Sequence, residues 1–300
     1  MKSEDTEGKF ELYVTRTPGY LWALIFKALH IHPIAVTLLS IVIGALAGYF
    51  FLSDDIRLNL IGMLLLVWAN WYDCADGQLA RMTNQRTLIG RILDGFAGDV
   101  WFFSIYFFIC LRLTTETAPW GAPWGIWIWL MCALAGFHCH AKQCALADYY
   151  RNIHLFFLKG EDGSELDRCP QQRALMRSLP WNKKEWFHKL YLYFYGNYTH
   201  SQEKMTPKFQ ALYETLQRHY GRNIPADLRR RFRAASLPLM KYANILTFDT
   251  RVGVLFLSLF VGQPWIYPLF EITVLEMLRY YTRHVHETFC ARFTEEIEHG

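Results

Sequence analysis

Charge is scarce in this sequence: Asp, Glu, Lys and Arg make up 19% of its 300 residues, against about 25% in an average soluble domain. Hydrophobic residues supply 52% and aromatic residues 17%. They are gathered into long runs beside one polar segment, which excludes the one or two soluble domains that length alone would allow. Residues 1–19 hold no apolar core ahead of a small-residue cleavage site, and Lys2, Lys9 and Arg16 are mixed there with acids. No cleavable signal peptide is expected. The cysteines, seven and therefore odd in number, include no C-x-x-C pair. A disulfide framework is excluded, and most of these thiols read as small apolar fillers in helices. Internal repeats are absent, and the mild net charge of +4 matters by its distribution rather than its value. A nucleic-acid partner is not expected.

What is present is hydrophobic length. A membrane-crossing helix needs about 20 mostly apolar residues, and six segments qualify: residues 34–52, 58–76, 92–113, 124–147, 245–263 and 265–282. The expected fold class is therefore an all-α integral membrane protein with six transmembrane helices. Residues 20–31, apolar but broken by Lys27, predict a helix lying in the membrane interface and bent into the first span at Pro33. The expected organisation is 1–33, N-terminus and interfacial helix; 34–150, spans one to four; 151–241, a helical insert between spans four and five; and 242–300, spans five and six with the C-terminal tail.

Between Arg151 and Arg233 there are 16 Lys and Arg against 8 Asp and Glu. The opposite loops carry little positive charge, so the insert and both termini are expected to face the cytoplasm. Within the insert, Pro207 with Phe209, Leu212, Tyr213 and Leu216 predicts a helix stopped at Gly221. Trp186, Phe187, Leu190, Tyr191 and Phe194 mark another, and Leu228, Phe232 and Ala235 a third. Lys183, Lys184 and Arg229–Arg231 flank them. These helices form either a cap against the anionic leaflet or a small soluble subdomain.

The chemistry is concentrated in residues 71–100, WYDCADGQLARMTNQRTLIGRILDGFAGDV. Ionisable groups in or beside a span cost several kcal/mol unless paired or bound to an ion. Asp73 and Asp76 are three apart and share a helix face, with Ala80 one turn further along it. Gly77 and Ala80 are small enough to let a bulky ligand approach. Asp94 opens the third span and faces the same cleft if a short polar hairpin, residues 82–90, sets the two helices antiparallel. Three carboxylates without zinc-type His or Cys spacing point to a hard divalent ion, Mg²⁺ or Mn²⁺. Such ions bind diphosphates, and Arg81 suits a phosphate oxygen. An ion-pair network among Arg81, Arg91 and the acids is the plainer explanation of the same residues.

This stretch resembles the CDP-alcohol phosphotransferase signature: D-x-x-D-G-x-x-A-R, eight residues, then G-x-x-x-D-x-x-x-D. Asp73, Asp76, Gly77, Ala80, Arg81, Gly90 and Asp94 all stand at the family spacing. The resemblance implies an integral membrane enzyme, a homodimer, in a bacterial inner membrane or its equivalent, with a cytoplasmic active site. It implies that Asp73, Asp76, Asp94 and the last signature aspartate hold one or two metal ions on the diphosphate of a CDP-activated lipid. Gly77, Ala80 and Arg81 would line the CDP site, and the last aspartate would deprotonate an alcohol acceptor as CMP leaves. In this sequence Gly98 occupies that last position and the acid follows at Asp99, rotated by roughly 100° on a regular helix. A π-bulge around Gly95–Gly98 is expected to restore its facing, with Asp94 the other candidate base. Before the first span the family's T-P-N-x-x-T is met only by His32, Pro33, Ile34 and Thr37, which leaves Thr37 as the nucleotide contact there.

Weaker signals close the fourth span in FHCHAKQCALADYYRN. His138, His140, Lys142 and Arg151 read either as a pocket for a phosphorylated acceptor, inositol phosphate ahead of glycerol phosphate, or as interfacial snorkelling. Serine as acceptor, transfer of a CDP-headgroup to a lipid alcohol, and a cation transporter remain the alternatives. Arg279, Tyr280 and Arg283 either join that pocket or anchor the sixth span. Asp249 and Arg251 are equally open between a structural pair and a site.

Overall fold

The computed structural model describes residues 5–6, 11–160, 164, 166–182 and 185–299; Lys2, Lys9, Lys183 and Lys184 lie outside them. Its helices are α1 (Thr17–Ala28), α2 (Pro33–Phe50), α3 (Ile56–Met82), α4 (Leu88–Leu113), α5 (Ile126–Ala133), α6 (Ala141–Lys159), α7 (Cys169–Ser178), α8 (Trp186–Met205), α9 (Pro207–Tyr220), α10 (Ala226–Ile245), α11 (Phe248–Phe260), α12 (Ile266–Phe270) and α13 (Glu276–His299). Among the described residues, π-helical segments interrupt this order at Glu11–Arg16, Leu134–His140 and Glu271–Leu275. No strand occurs among the described residues, only an isolated bridge between Thr117 and Pro123.

Among the described residues, four stretches are long and apolar enough to cross a membrane: Pro33–Phe50, Ile56–Met82, Leu88–Leu113 and Ala226–Phe260. The first three cover the expected spans 34–52, 58–76 and 92–113, and the last includes most of 245–263. Residues 124–147 and 265–282 are helical but broken by the π segments at Leu134–His140 and Glu271–Leu275, so neither forms one long apolar α-helix. Large apolar side chains point away from the protein along the first three stretches, among them Val42, Leu64 and Phe103. Lipid is the medium that suits a surface of this kind.

The chain divides into two compact units. One consists of Gly8–His140 and Asp249–Thr273, the other of Met1–Glu7, Ala141–Phe248 and Val274–Gly300. In the first, α2 packs against both α3 and α4, and α1 lies along α3. The α2–α4 contact depends on glycine. A Cβ on Gly44 would stand 2.2 Å from the Trp101 ring, and one on Gly48 2.4 Å from Ser104 Oγ. The close approach lets Trp101 Nε1 donate to the Ser40 carbonyl at 3.0 Å and Ser104 Oγ to the Ala45 carbonyl at 2.7 Å. The bend between α1 and α2 comes from His30, which ends α1 with a φ of 56°. His32 then caps α2 by accepting from the Ile34 N–H, with Pro33 in the first turn.

The second unit has its own core. Leu146, Tyr149, Tyr150 and Ile153 of α6 meet Phe209, Leu212 and Leu216 of α9 and Phe232 of α10. α9 starts at Pro207 and stops at Gly221, where φ is 55°. α8 and α10 fall where the aromatic and apolar spacing predicts them. α7 is an additional helix that the sequence reading did not anticipate.

Candidate active site

The site is assembled by helix termini in the first unit. α3 runs on as one helix to Met82, so Asp73, Asp76, Gly77, Ala80 and Arg81 occupy its last three turns. Asn84, at φ 54°, turns the chain, and the Gln85 N–H closes back on the Ala80 carbonyl at 3.0 Å. Thr87 caps α4 by accepting from the Gly90 N–H at 3.0 Å. A Cβ on Gly90 would press to 3.1 Å from that same hydroxyl. The reversal is tighter than the expected 82–90 hairpin, and it brings the start of α4 back beside the end of α3.

The consequence is convergence of the three acids. Carboxylate oxygens of Asp73, Asp76 and Asp94 lie within 4.8 Å of one another. Asp76 is buried at 3% exposure, Asp73 half-buried and Asp94 exposed, so the group opens outward from a covered floor. Asp76 Oδ2 is buried and makes no hydrogen bond among the described residues. A buried carboxylate oxygen left in that state is costly unless a cation completes it. Hard oxygen donors, one of them orphaned, fit Mg²⁺ or Mn²⁺.

The surrounding residues leave access. A Cβ built on Gly77 would meet only Arg81 Nη1, at 3.8 Å, and both Arg81 and Asp94 act electrostatically on Asp76. Thr37 reaches the site from α2: it stands beside Asp76 while its hydroxyl donates to the Pro33 carbonyl at 3.2 Å. Thr37, Asp73, Asp76, Gly77, Ala80, Arg81 and Asp94 are thus contributed by three packed helices.

Two expectations meet a different structure. α4 is α-helical throughout Leu88–Leu113, so the π-bulge expected at Gly95–Gly98 is absent. Both glycines face open space, and without a partner pressing on that turn nothing drives the backbone out of its regular hydrogen bonds. Asp99 accordingly stands outside the three-carboxylate group. It is exposed, with His140 within electrostatic reach.

His140 instead joins a buried network that the sequence reading missed. Arg251 and Glu271 are both fully covered and form an ion pair at 2.5 Å. Arg251 Nη1 also approaches His140 Nδ1 at 3.0 Å. Tyr267 donates to Glu271 Oε1 at 2.7 Å and Tyr106 to Oε2 at 2.5 Å. Glu271 was discoverable: an acid inside the apolar run 265–282 is as unusual as those in the signature.

Lys142 and Arg151 belong to the second unit. Arg151 Nε donates to Asn244 Oδ1 at 3.2 Å. Arg279 is buried against Glu276 and stacks over the Tyr280 ring.

The chain matches no curated protein and no solved structure. Residues 30–154 match the model of an enzyme family of phosphotransferases, CDP-alcohol phosphatidyltransferase, and the three carboxylates lie within the matched stretch.

Proposed function

We propose that the protein transfers a phosphatidyl-type group from a CDP-activated lipid to a small alcohol and releases CMP, as a step in phospholipid synthesis. The observation that carries this reading is the convergence of Asp73, Asp76 and Asp94 within 4.8 Å beside an open Gly77 surface and the Arg81 guanidinium. Asp73, Asp76 and Asp94 would hold Mg²⁺ or Mn²⁺. Bound there, such an ion would supply positive charge to offset that of the diphosphate and of the departing CMP.

The chain's own groups do the rest. Gly77 and Ala80 admit the CDP moiety to the helix backbone, Thr37 borders it and Arg81 pairs with a phosphate oxygen. The acceptor oxygen bonds to the phosphorus nearer the lipid, the bond from that phosphorus to the CMP oxygen breaks, and CMP takes the electron pair. The hydroxyl proton passes to Asp99 through a bridging water, because Asp99 stands on a regular helix outside the carboxylate group. Asp94, the exposed member of the group, is the other carboxylate open to that proton. His140, Lys142 and Arg151 are assigned to the acceptor, whose phosphate favours inositol phosphate ahead of glycerol phosphate.

In the same reading residues 124–147 and 265–282 complete six spans, and both termini, the active site and the basic insert face the cytoplasm, the insert against the anionic leaflet. The protein is a homodimer.

The test is CMP release by purified protein given CDP-diacylglycerol, Mg²⁺ or Mn²⁺, and inositol phosphate, glycerol phosphate or serine in turn. Metal-dependent release with a phosphorylated polyol is the expected result. Release only from a CDP-headgroup with a lipid alcohol reverses the donor assignment, and no release with any pair refutes the reading.

A further inference from the structure

The second unit contains a cluster of ligand-bearing side chains that the proposed reaction does not use. Cys169 opens α7, while His200 and Glu203, three residues apart, share one face of α8. The Cys169 sulfur, a His200 ring nitrogen and a Glu203 carboxylate oxygen lie within 4.8 Å of one another. Cys169 is buried at 3% exposure, Glu203 half-buried and His200 exposed, so the cluster has a covered floor and an open side.

One carboxylate oxygen is already fixed from behind. Glu203 Oε1 accepts from Arg168 Nε at 3.2 Å and from the Cys169 backbone N–H at 3.0 Å. Those bonds cap α7 and orient the carboxylate, yet they leave Oε2 without a hydrogen bond. The His200 ring makes none either among the described residues. Capping therefore accounts for one atom of the cluster. The thiol and the ring nitrogen of His200 lie within the same 4.8 Å and are not used by that cap.

We propose that Cys169, His200 and Glu203 bind Zn²⁺, with water in the fourth position, and so clasp the start of α7 to α8. A thiolate, an imidazole and a carboxylate are the donor types zinc takes, whereas Mg²⁺ and Ca²⁺ prefer oxygen alone. Three protein ligands with one solvent-facing position make a tetrahedral set. The thiolate and carboxylate together offset the charge of the ion. Arg168 then acts as the outer partner that holds Glu203 in its ligating orientation.

Full-length protein in detergent, dialysed against Zn²⁺-free buffer, should retain zinc, and after exchange with Co²⁺ should show thiolate-to-cobalt charge transfer with tetrahedral d–d bands. Cys169→Ser should abolish the charge-transfer band. His200→Ala, at an exposed position that tolerates truncation, should lose the retained zinc, and Arg168→Ala should weaken zinc binding roughly 10–100-fold. Asp76→Asn should leave the charge-transfer band in place, which separates this site from the signature carboxylates. CMP release has no part in these readouts, so failure of the transferase reading and failure of the zinc site are distinguishable. Absence of the charge-transfer band from wild-type protein, or its survival in both Cys169→Ser and His200→Ala, overturns the proposal.

Discussion

Arg251 and Glu271, twenty residues apart, close an ion pair in which neither side chain has any exposed surface. Removing one partner of such a pair leaves the other charged and uncompensated, at a cost of about 3–5 kcal/mol. Glu271→Gln should therefore lower the unfolding temperature of the detergent-solubilised protein sharply. The double variant Arg251→Met with Glu271→Leu should recover much of the loss, because it removes both charges and fills the same volume with apolar atoms. An equal loss in both variants would falsify the pairing as the source of the cost.

The signature carboxylates should behave as one unit. Asp73→Asn, Asp76→Asn and Asp94→Asn each delete an anionic oxygen from the group within 4.8 Å, and each should abolish CMP release while the protein still inserts into membranes. Near-normal turnover in any two of the three would sink the metal assignment. Asp76→Asn carries a second expectation: it removes the anion from the buried position whose Oδ2 lacks a partner, so metal-free protein should be no less stable for the change.

Asp99 and Asp94 divide the question of the base. If Asp99 takes the proton through water, Asp99→Asn should cut turnover by about 10²–10⁴ while leaving metal and CDP-lipid binding intact. Asp94→Asn should weaken metal binding as well. Turnover near that of wild type in Asp99→Asn moves the proton to Asp94.

Arg151→Ala should raise the apparent KM for a phosphorylated acceptor more than it changes CDP-lipid binding. Arg151 also holds Asn244, so Asn244→Ala is the control that loosens the same hydrogen bond without deleting the charge. A KM raised equally by both variants assigns Arg151 to structure.

A pH-sensitive contact lies on α6. His154 is fully buried, with Nδ1 2.7 Å from Ser236 Oγ and Nε2 3.1 Å from Asp5 Oδ2. Burial holds its pKa below the ordinary 6.5, against the opposing pull of Asp5. Arg233 binds the Asp5 carboxylate in turn and lowers it to about 2, so Asp5 stays ionised throughout the range in which histidine titrates. The unfolded chain then gains a proton on His154 that the folded chain resists. Stability should fall as pH drops through about 6.5, and His154→Gln should flatten that dependence between pH 7 and 5. Thermal unfolding measured across that range checks it. An unchanged slope in His154→Gln counts against the assignment.

Much of the candidate site was legible because its geometry is local. Asp73 and Asp76 share a helix face by spacing alone, and a short polar link made the antiparallel return of Asp94 expected. What spacing did not reveal was how the link closes, through Asn84 in a left-handed conformation and the Thr87 cap. The π-bulge expected beside Asp99 is absent for a related reason. Glycines lower the cost of a π turn but do not create one. The π segments occur instead at Leu134–His140 and Glu271–Leu275, which contribute His140 and Glu271 to the buried network. Their position follows from partners distant in sequence, which helix periodicity does not record. Glu271 itself is visible as an acid in an apolar run, but no motif surrounds it to give it a role.

Those π segments carry a consequence for how related chains can be compared. A π turn holds roughly one residue more than an α turn, so it displaces by about 100° the angular phase of everything that follows. His140 lies at the end of one such turn and Glu271 at the beginning of another. A relative lacking either turn would present a different side chain at the same depth, even where the two sequences pair without a gap. Equivalence beyond these points is therefore a matter of backbone phase rather than residue count. Deleting a single residue within Leu134–Phe137 should rotate His140 out of reach of Glu271 while changing the hydrophobicity of the segment scarcely at all.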